Sequence, residues 1–337
     1  MSRTEDLWTA SPWQAFPPAD AASPSSGQRL GWHKHLVPYK SRANKLQNLE
    51  IWIPAKSDKP PEVTSSFRGN WVVYIHGGAW RDPLVSSTAF AATVQHILES
   101  HQSSLSKIAG FASLNYTLSP YPNHPTHASP PRDASQQPDP SRTGKHPDHI
   151  VDVLSGLAFL QRQIGFGSSY ILLGHSCGAT LAFQALMDPA RWDPKHPAEI
   201  NIAKPLALIS LNGIHDLPRL IKAPGTSHAN LVPVYGAFTR GAFGDDETAW
   251  IDVSPISFQD LAREWGVRDA KVVLVQSKED SLVPYHQLED MMNMLKASKS
   301  ANLQVTEMVA SGDHNDLWKK GDRLAEIVVA VADSCFK

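Results

Sequence analysis

A serine stands between two glycines at Gly174-His175-Ser176-Cys177-Gly178, where the apolar run "YILL" ends and the helix-like "ATLAFQALM" begins. With a strand entering and a helix leaving, the turn between them would lift the serine oxygen above the sheet. A serine hydroxyl at its ordinary pKa is a weak nucleophile, and it needs a base that is itself oriented by a carboxylate. Further along, "VVLVQ" runs into "SKEDSLVP", which offers Glu279 and Asp280, and the last strand-like run opens onto "SGDHNDLW", which offers His314. Nucleophile, acid and base then follow one another in that order. Asp280 is preferred to Glu279 because it precedes the "SLVP" loop leading into the next helix, and Asp216 in "GIHDL" competes from one strand earlier. Asp313 and Asp316 lie too close to His314 in sequence to reach the far ring nitrogen easily. The plainer alternatives are a serine that caps its helix and a histidine exposed on a loop.

The stretch "VVYIHGGAWRD", Val72 to Asp82, carries the second chemical signal. Acyl transfer needs backbone N–H groups aimed at the developing oxyanion, each worth about 3 kcal/mol. Cys177, which follows the nucleophile, would supply one. Gly77 and Gly78 are the expected further donors, because without a Cβ their backbone can approach a ligand closely. His76 would brace the loop. A tight turn with no chemical role is the competing reading.

Positioning these groups requires strands that alternate with helices. "NLEIWIP" (Asn48–Pro54) alternates like an edge or antiparallel strand, whereas "WVVYIHG" (Trp71–Gly77) is continuously apolar, as in a parallel strand buried on both faces. Helical patterns at 89–102 and 150–164, with strands at 108–120, 204–217, 270–284 and 303–318, predict a mostly parallel sheet covered on both faces. Ligands bind at the carboxyl ends of such strands, where all the polar clusters named above fall. Residues 1–28, rich in Pro, Ser and Ala, read as a poorly ordered lead-in with Trp8 and Trp13 as anchors, ahead of a single domain over 29–337. A Pro- and His-rich stretch at 121–149 reads as a loop insertion, either functional or disordered. Its histidines, His124, His127, His146 and His149, match no defined metal-ligand spacing, so no metal is expected.

Over 337 residues, 42% hydrophobic and 19% charged content describes an ordinary globular chain, and a net charge of −2 gives no reason to expect nucleic acid or a membrane as partner. Two cysteines, Cys177 and Cys335, cannot build a disulfide framework, and the N-terminal residues contain no apolar signal core. A cytoplasmic location is expected. The sequence sets no oligomeric state and leaves a homodimer open.

Together "HGGAW", "GHSCGA", "SKEDSLVP" and "SGDHNDLW" resemble the α/β-hydrolase superfamily and, more narrowly, the fungal kynurenine formamidases (arylformamidases). The resemblance covers the chain from about residue 30 onward, apart from 121–149. It implies an α/β-hydrolase fold with a mostly parallel, eight-stranded central sheet and helices on both faces. It also implies hydrolysis of N-formyl-L-kynurenine to L-kynurenine and formate, in tryptophan breakdown toward NAD, with no cofactor. Ser176 would be the nucleophile, Asp280 the acid and His314 the base. Trp80 of the H-G-G-x-W motif is a candidate wall for the kynurenine ring, with core packing as the equal alternative. A small-ester carboxylesterase related to hormone-sensitive lipase, and a hydrolase-fold binding protein without activity, are the competing functions.

Overall fold

The computed structural model describes residues 3–17, 29–60, 67–133, 135–297 and 303–336. Parts of the expected lead-in (1, 2 and 18–28) and residue 134 of the 121–149 stretch lie outside the described residues. The strands are β1 (Gln14–Phe16), β2 (Gly31–Pro38), β3 (Asn48–Pro54), β4 (Asn70–Ile75), β5 (Ile108–Leu114), β6 (Tyr170–His175), β7 (Ala207–Leu211), β8 (Ala270–Ser277) and β9 (Leu303–Ala310). They form one sheet in the order β1-β2-β3-β5-β4-β6-β7-β8-β9. Pairing is antiparallel from β1 through β3 to β5, and parallel from β5 through β4 and β6 to β9.

The sheet therefore has nine strands, not the eight expected. Two strands were not named from the sequence, β2 and β1, the latter a three-residue strand that pairs Gln14 with His33 and Phe16 with Gly31. Three residues are too few to show a period of two, so composition alone hid it. Ahead of it, the helix Arg3–Ala10 brings Trp8 into the core, edge-on to Trp13 and beside Phe67.

The apolar run of β4 is explained by burial on both faces. Trp71, Val73 and Ile75 join the core under the helix Asp148–Ile164, with Val153, Leu157 and Leu160. Val72 and Tyr74 point the other way, into a second core with Val94 and Ile97 of the helix Ala91–Ser100 and Leu324 and Val328 of Asp322–Cys335. Each such side chain removed from water contributes about 1.5–3 kcal/mol, which is why no polar residue interrupts the run. The helix Asp148–Ile164 stops at Gly165, which takes the left-handed conformation at φ 77° and returns its N–H to Gln161. No described helix is long and apolar enough to cross a membrane.

Candidate active site

Ser176 sits between the end of β6 and the helix Cys177–Gln184 at φ 55°, ψ −122°. A non-glycine residue there is strained by about 1–3 kcal/mol and must be held by its surroundings. Ser176 N donates to Leu211 O at 2.9 Å, and Ser176 O accepts from Ala179 N at 3.0 Å. The flanking glycines are required by close approach. A Cβ on Gly174 would lie 2.1 Å from Gly178 O, and one on Gly178 would lie 2.3 Å from Ile75 O. The strand, the turn and the helix can cross β4 this tightly only without those side chains.

Asp280 and His314 meet where β8 and β9 end. His314 Nδ1 and Asp280 Oδ2 are 2.8 Å apart, both residues being buried. A carboxylate can only accept here, so the proton sits on Nδ1 and Nε2 is left free as a base. The other oxygen, Asp280 Oδ1, accepts from Leu282 N and Val283 N at 2.8 Å each, which fixes the carboxylate. The competing acids have other partners: Glu279 accepts from Gly312 N at 2.6 Å, and Asp216 caps the helix Leu217–Lys222 through Arg219 N. Asp313 ties the two loops together, accepting from Ser281 Oγ at 2.6 Å and from His314 N at 2.7 Å. Among the described residues, Ser176 Oγ makes no hydrogen bond within 3.5 Å. A serine–histidine link of this kind often tightens only when substrate arrives.

Sequence reasoning did not single out the groups that hold the His314 backbone. His175 Nε2 donates to His314 O at 2.9 Å, and Asn212 Nδ2 donates to the same oxygen at 3.0 Å. The His175 and His314 rings lie 4.6 Å apart. Burial holds His175 neutral, well below the usual histidine range, so it adds no charge beside the base.

The loop after β4 is braced from within. His76 is neutral because burial lowers its pKa to about 4, and it lies face to face with Tyr116 at 4.5 Å. Tyr116 Oη donates to His76 O and Gly77 O at 3.0 and 3.2 Å. Gly77 is pressed against the elbow, where a Cβ would sit 2.7 Å from His175 Nδ1 and 3.0 Å from Ser176 Cβ. Gly78 has φ +97° and lines the pocket beside Ala79. Cys177, the first residue of its helix, is fully buried; burial pushes its thiol up to about 11, and Trp80 N approaches its sulfur at 3.3 Å. That thiol is packing, not a second nucleophile.

Trp80 does not line the pocket. It is fully buried, 5.0 Å edge-on to Phe243 and 5.8 Å from Phe238, because φ 58° turns it back under the loop. The pocket itself measures about 240 Å³ and is shared by Ser176, His314 and Gly78. Its apolar wall includes Leu231 and, from the helix Val232–Phe243, Val234, Tyr235 and Phe238. Arg81, Asp82 and Tyr121 close another side. None of these was singled out from sequence. The apolar run "LVPVYGAF" at 231–238 was the available signal, but it reads equally as core.

Of the four histidines of 121–149, His124 faces Asp82 at 3.6 Å and accepts from His127 N at 2.9 Å, the two rings lying 5.4 Å apart, whereas His149 shares a hydrogen bond with Ser119 Oγ and His146 packs on Trp192. His33, His35 and Glu50, on β2 and β3, place ligand atoms within 4.8 Å of one another. Glu50 already bonds both rings there, which satisfies the buried carboxylate without an ion.

A chain 37% identical over 302 residues is the kynurenine formamidase-like hydrolase fscH of Fusarium equiseti, with 88% of this chain and 93% of that protein aligned. The chain belongs to the kynurenine formamidase family. The kynurenine formamidase avaC of Aspergillus versicolor is 31% identical over 74% of this chain and 84% of its own. The kynurenine formamidase of Saccharomyces cerevisiae is 26% identical over 74% and 84%. No family model matches the chain. Esterase B of Lactobacillus rhamnosis superposes with a TM-score of 0.63 at 14% identity, covering 99% of this chain and 92% of its own. A hormone-sensitive lipase from a metagenome library gives 0.57 at 15% identity, covering 98% and 89%. At these identities the two structures speak for the α/β-hydrolase fold alone.

Proposed function

We propose that this member of the kynurenine formamidase family hydrolyses N-formyl-L-kynurenine to L-kynurenine and formate, a step of tryptophan breakdown in the cytoplasm, through Ser176, His314 and Asp280. The observation that carries the reading is the 2.8 Å contact of Asp280 Oδ2 with Nδ1 of His314, which lines the same pocket as the strained Ser176. His314 Nε2 takes the hydroxyl proton as Ser176 Oγ attacks the formyl carbon. The oxyanion then receives backbone N–H groups from the candidate donors Gly77, Gly78 and Cys177, of which Gly78 lines the pocket. The C–N bond breaks as His314 returns that proton to the arylamine nitrogen. An arylamine is a better leaving group than an alkylamine, so this demand is modest. Water, deprotonated by His314, attacks the formyl-serine; formate departs and Ser176 regains its proton.

The test is a comparison of kcat/KM for N-formyl-L-kynurenine and p-nitrophenyl acetate. A specificity constant at least tenfold higher for the formamide is the expected result. Ester turnover alone would replace the reading with a carboxylesterase, and no turnover of either would replace it with a binding protein.

A further inference from the structure

The pocket holds a charged pair that the hydrolysis of a simple formamide does not require. Arg81 is only 8% exposed, yet it lines the same cavity as Ser176 and His314. Among the described residues no carboxylate oxygen lies within 4.0 Å of its guanidinium. The group instead lies over the Tyr121 ring, 4.0 Å from the centroid, with the Phe238 ring at 5.8 Å. Buried cations normally have a carboxylate in direct contact, because desolvation is costly, and among the described residues Arg81 has only Tyr121 and the more distant charge of Asp82. A planar guanidinium held over a ring loses little freedom on receiving a carboxylate through two parallel N–H bonds.

The next residue supplies the opposite charge. Asp82 also lines the pocket; its Oδ1 accepts from Leu84 N at 2.9 Å and faces His124 at 3.6 Å. Both residues are placed by one backbone oxygen, since Arg81 N and Asp82 N donate to Gly78 O at 3.0 and 2.8 Å. A cation and an anion side by side on one turn, at one end of an apolar cavity, match a zwitterion. A neutral acyl chain would gain nothing from them.

We propose that Arg81 and Asp82 form the subsite for the α-amino acid end of the substrate, Arg81 binding the carboxylate and Asp82 the ammonium. The inference rests on the formamidase reading and adds to it the part of the substrate remote from the scissile bond. Neither residue touches the reacting atoms; both select and hold.

The experiment compares N-formyl-L-kynurenine with 2-formamidoacetophenone, the same aryl formamide lacking the amino acid end. In R81M the ratio of their specificity constants should fall about 10²-fold, the usual loss when one partner of a buried charge pair is removed. R81K should fall in between, because it restores the charge without the fork, and D82N should lower the ratio about tenfold. A ratio within threefold of wild type in both R81M and R81K overturns the proposal and leaves the formamidase reading standing. Should R81M not fold, the wild type decides alone: L-kynurenine must inhibit at least tenfold more strongly than kynuramine, which lacks the carboxylate. Equal inhibition overturns the subsite. If wild type cleaves neither formamide, the formamidase reading fails, and binding of the same two amines by thermal shift still decides the subsite. Preference for L-kynurenine that weakens in R81K supports it; equal shifts overturn it.

Discussion

Replacing Asp280 by Asn exchanges one carboxylate oxygen for an NH2 group and leaves the shape of the side chain unchanged. The native carboxylate meets His314 Nδ1 through Oδ2 and the N–H groups of Leu282 and Val283 through Oδ1, each at 2.8 Å. Asparagine has one oxygen for these two tasks. If the oxygen keeps the backbone donors, the NH2 faces Nδ1 and drives the ring proton onto Nε2, where the base is needed. If the amide flips, the base survives but two backbone donors lose their acceptor, at about 1–3 kcal/mol each. The first arrangement is therefore favoured by about 2–6 kcal/mol, and it is the inactive one. A tautomer lost in this way costs about 10⁴ in kcat, or about 5 kcal/mol of barrier at 1.36 kcal/mol per decade. Stability changes by only about 1 kcal/mol, because the backbone bonds remain. The assay is kcat on N-formyl-L-kynurenine for D280N beside E279Q, with thermal melts of both. Glu279 contacts Gly312 N instead of the ring, so E279Q should stay within threefold of wild type. A D280N variant within tenfold of wild type, or an E279Q variant equally impaired, would refute the reasoning.

S176G should abolish turnover while raising Tm, because glycine relieves about 1 kcal/mol of strain at φ 55°; a lower Tm would show that the elbow is not strained. G178A should fail to give soluble folded protein or lose more than about 3 kcal/mol in urea unfolding, since its Cβ would lie 2.3 Å from Ile75 O; near-native stability would contradict the crossing geometry. At pH 8 the Cys177 thiol, pushed up to about 11, is about 0.1% thiolate, so iodoacetamide followed by peptide mass spectrometry should label the part-exposed Cys335 well ahead of it. Burial lowers His76, His146 and His215 from 6.5 to about 4, so the unfolded chain binds more protons between those values. Their contribution is complete above pH 6.5 and is lost as pH falls toward 4, by up to about 3 kcal/mol each. Tm measured from pH 7.5 to 4.5 should fall steadily, and a flat profile would be inconsistent with neutral buried rings.

Order along the chain made part of this architecture readable. Alternating strands and helices imply a parallel sheet, and a parallel sheet places the ends of β6, β8 and β9 along one edge. That order alone groups Ser176, Asp280 and His314. Trp80 shows the limit of such reading. An aromatic residue after two glycines fits a pocket wall or a core equally well, and a backbone φ of 58° decided for the core. Arg81 was hidden for another reason: a charge beside a turn normally reads as solvated, and only the fold shows it nearly buried in the pocket that Ser176 also lines. The clamp of His175 and Asn212 on the His314 carbonyl joins residues 139 and 102 positions apart, a relation that no local pattern encodes. The same holds for β1, whose partner strand β2, and not its own composition, defines it.

The helix Val232–Phe243 contributes Val234, Tyr235 and Phe238 to the pocket, and of these only Tyr235 also holds the acid's loop, its Oη donating to Leu282 O at 2.8 Å. The cavity wall at Val234 and Phe238 and the proposed catalytic groups are thus carried by different segments of the chain. Randomising positions 234 and 238 would vary the size and shape of the cavity while the elbow, the acid and the base keep their hydrogen bonds. Those two positions are accordingly the place to build a library for altered acceptance.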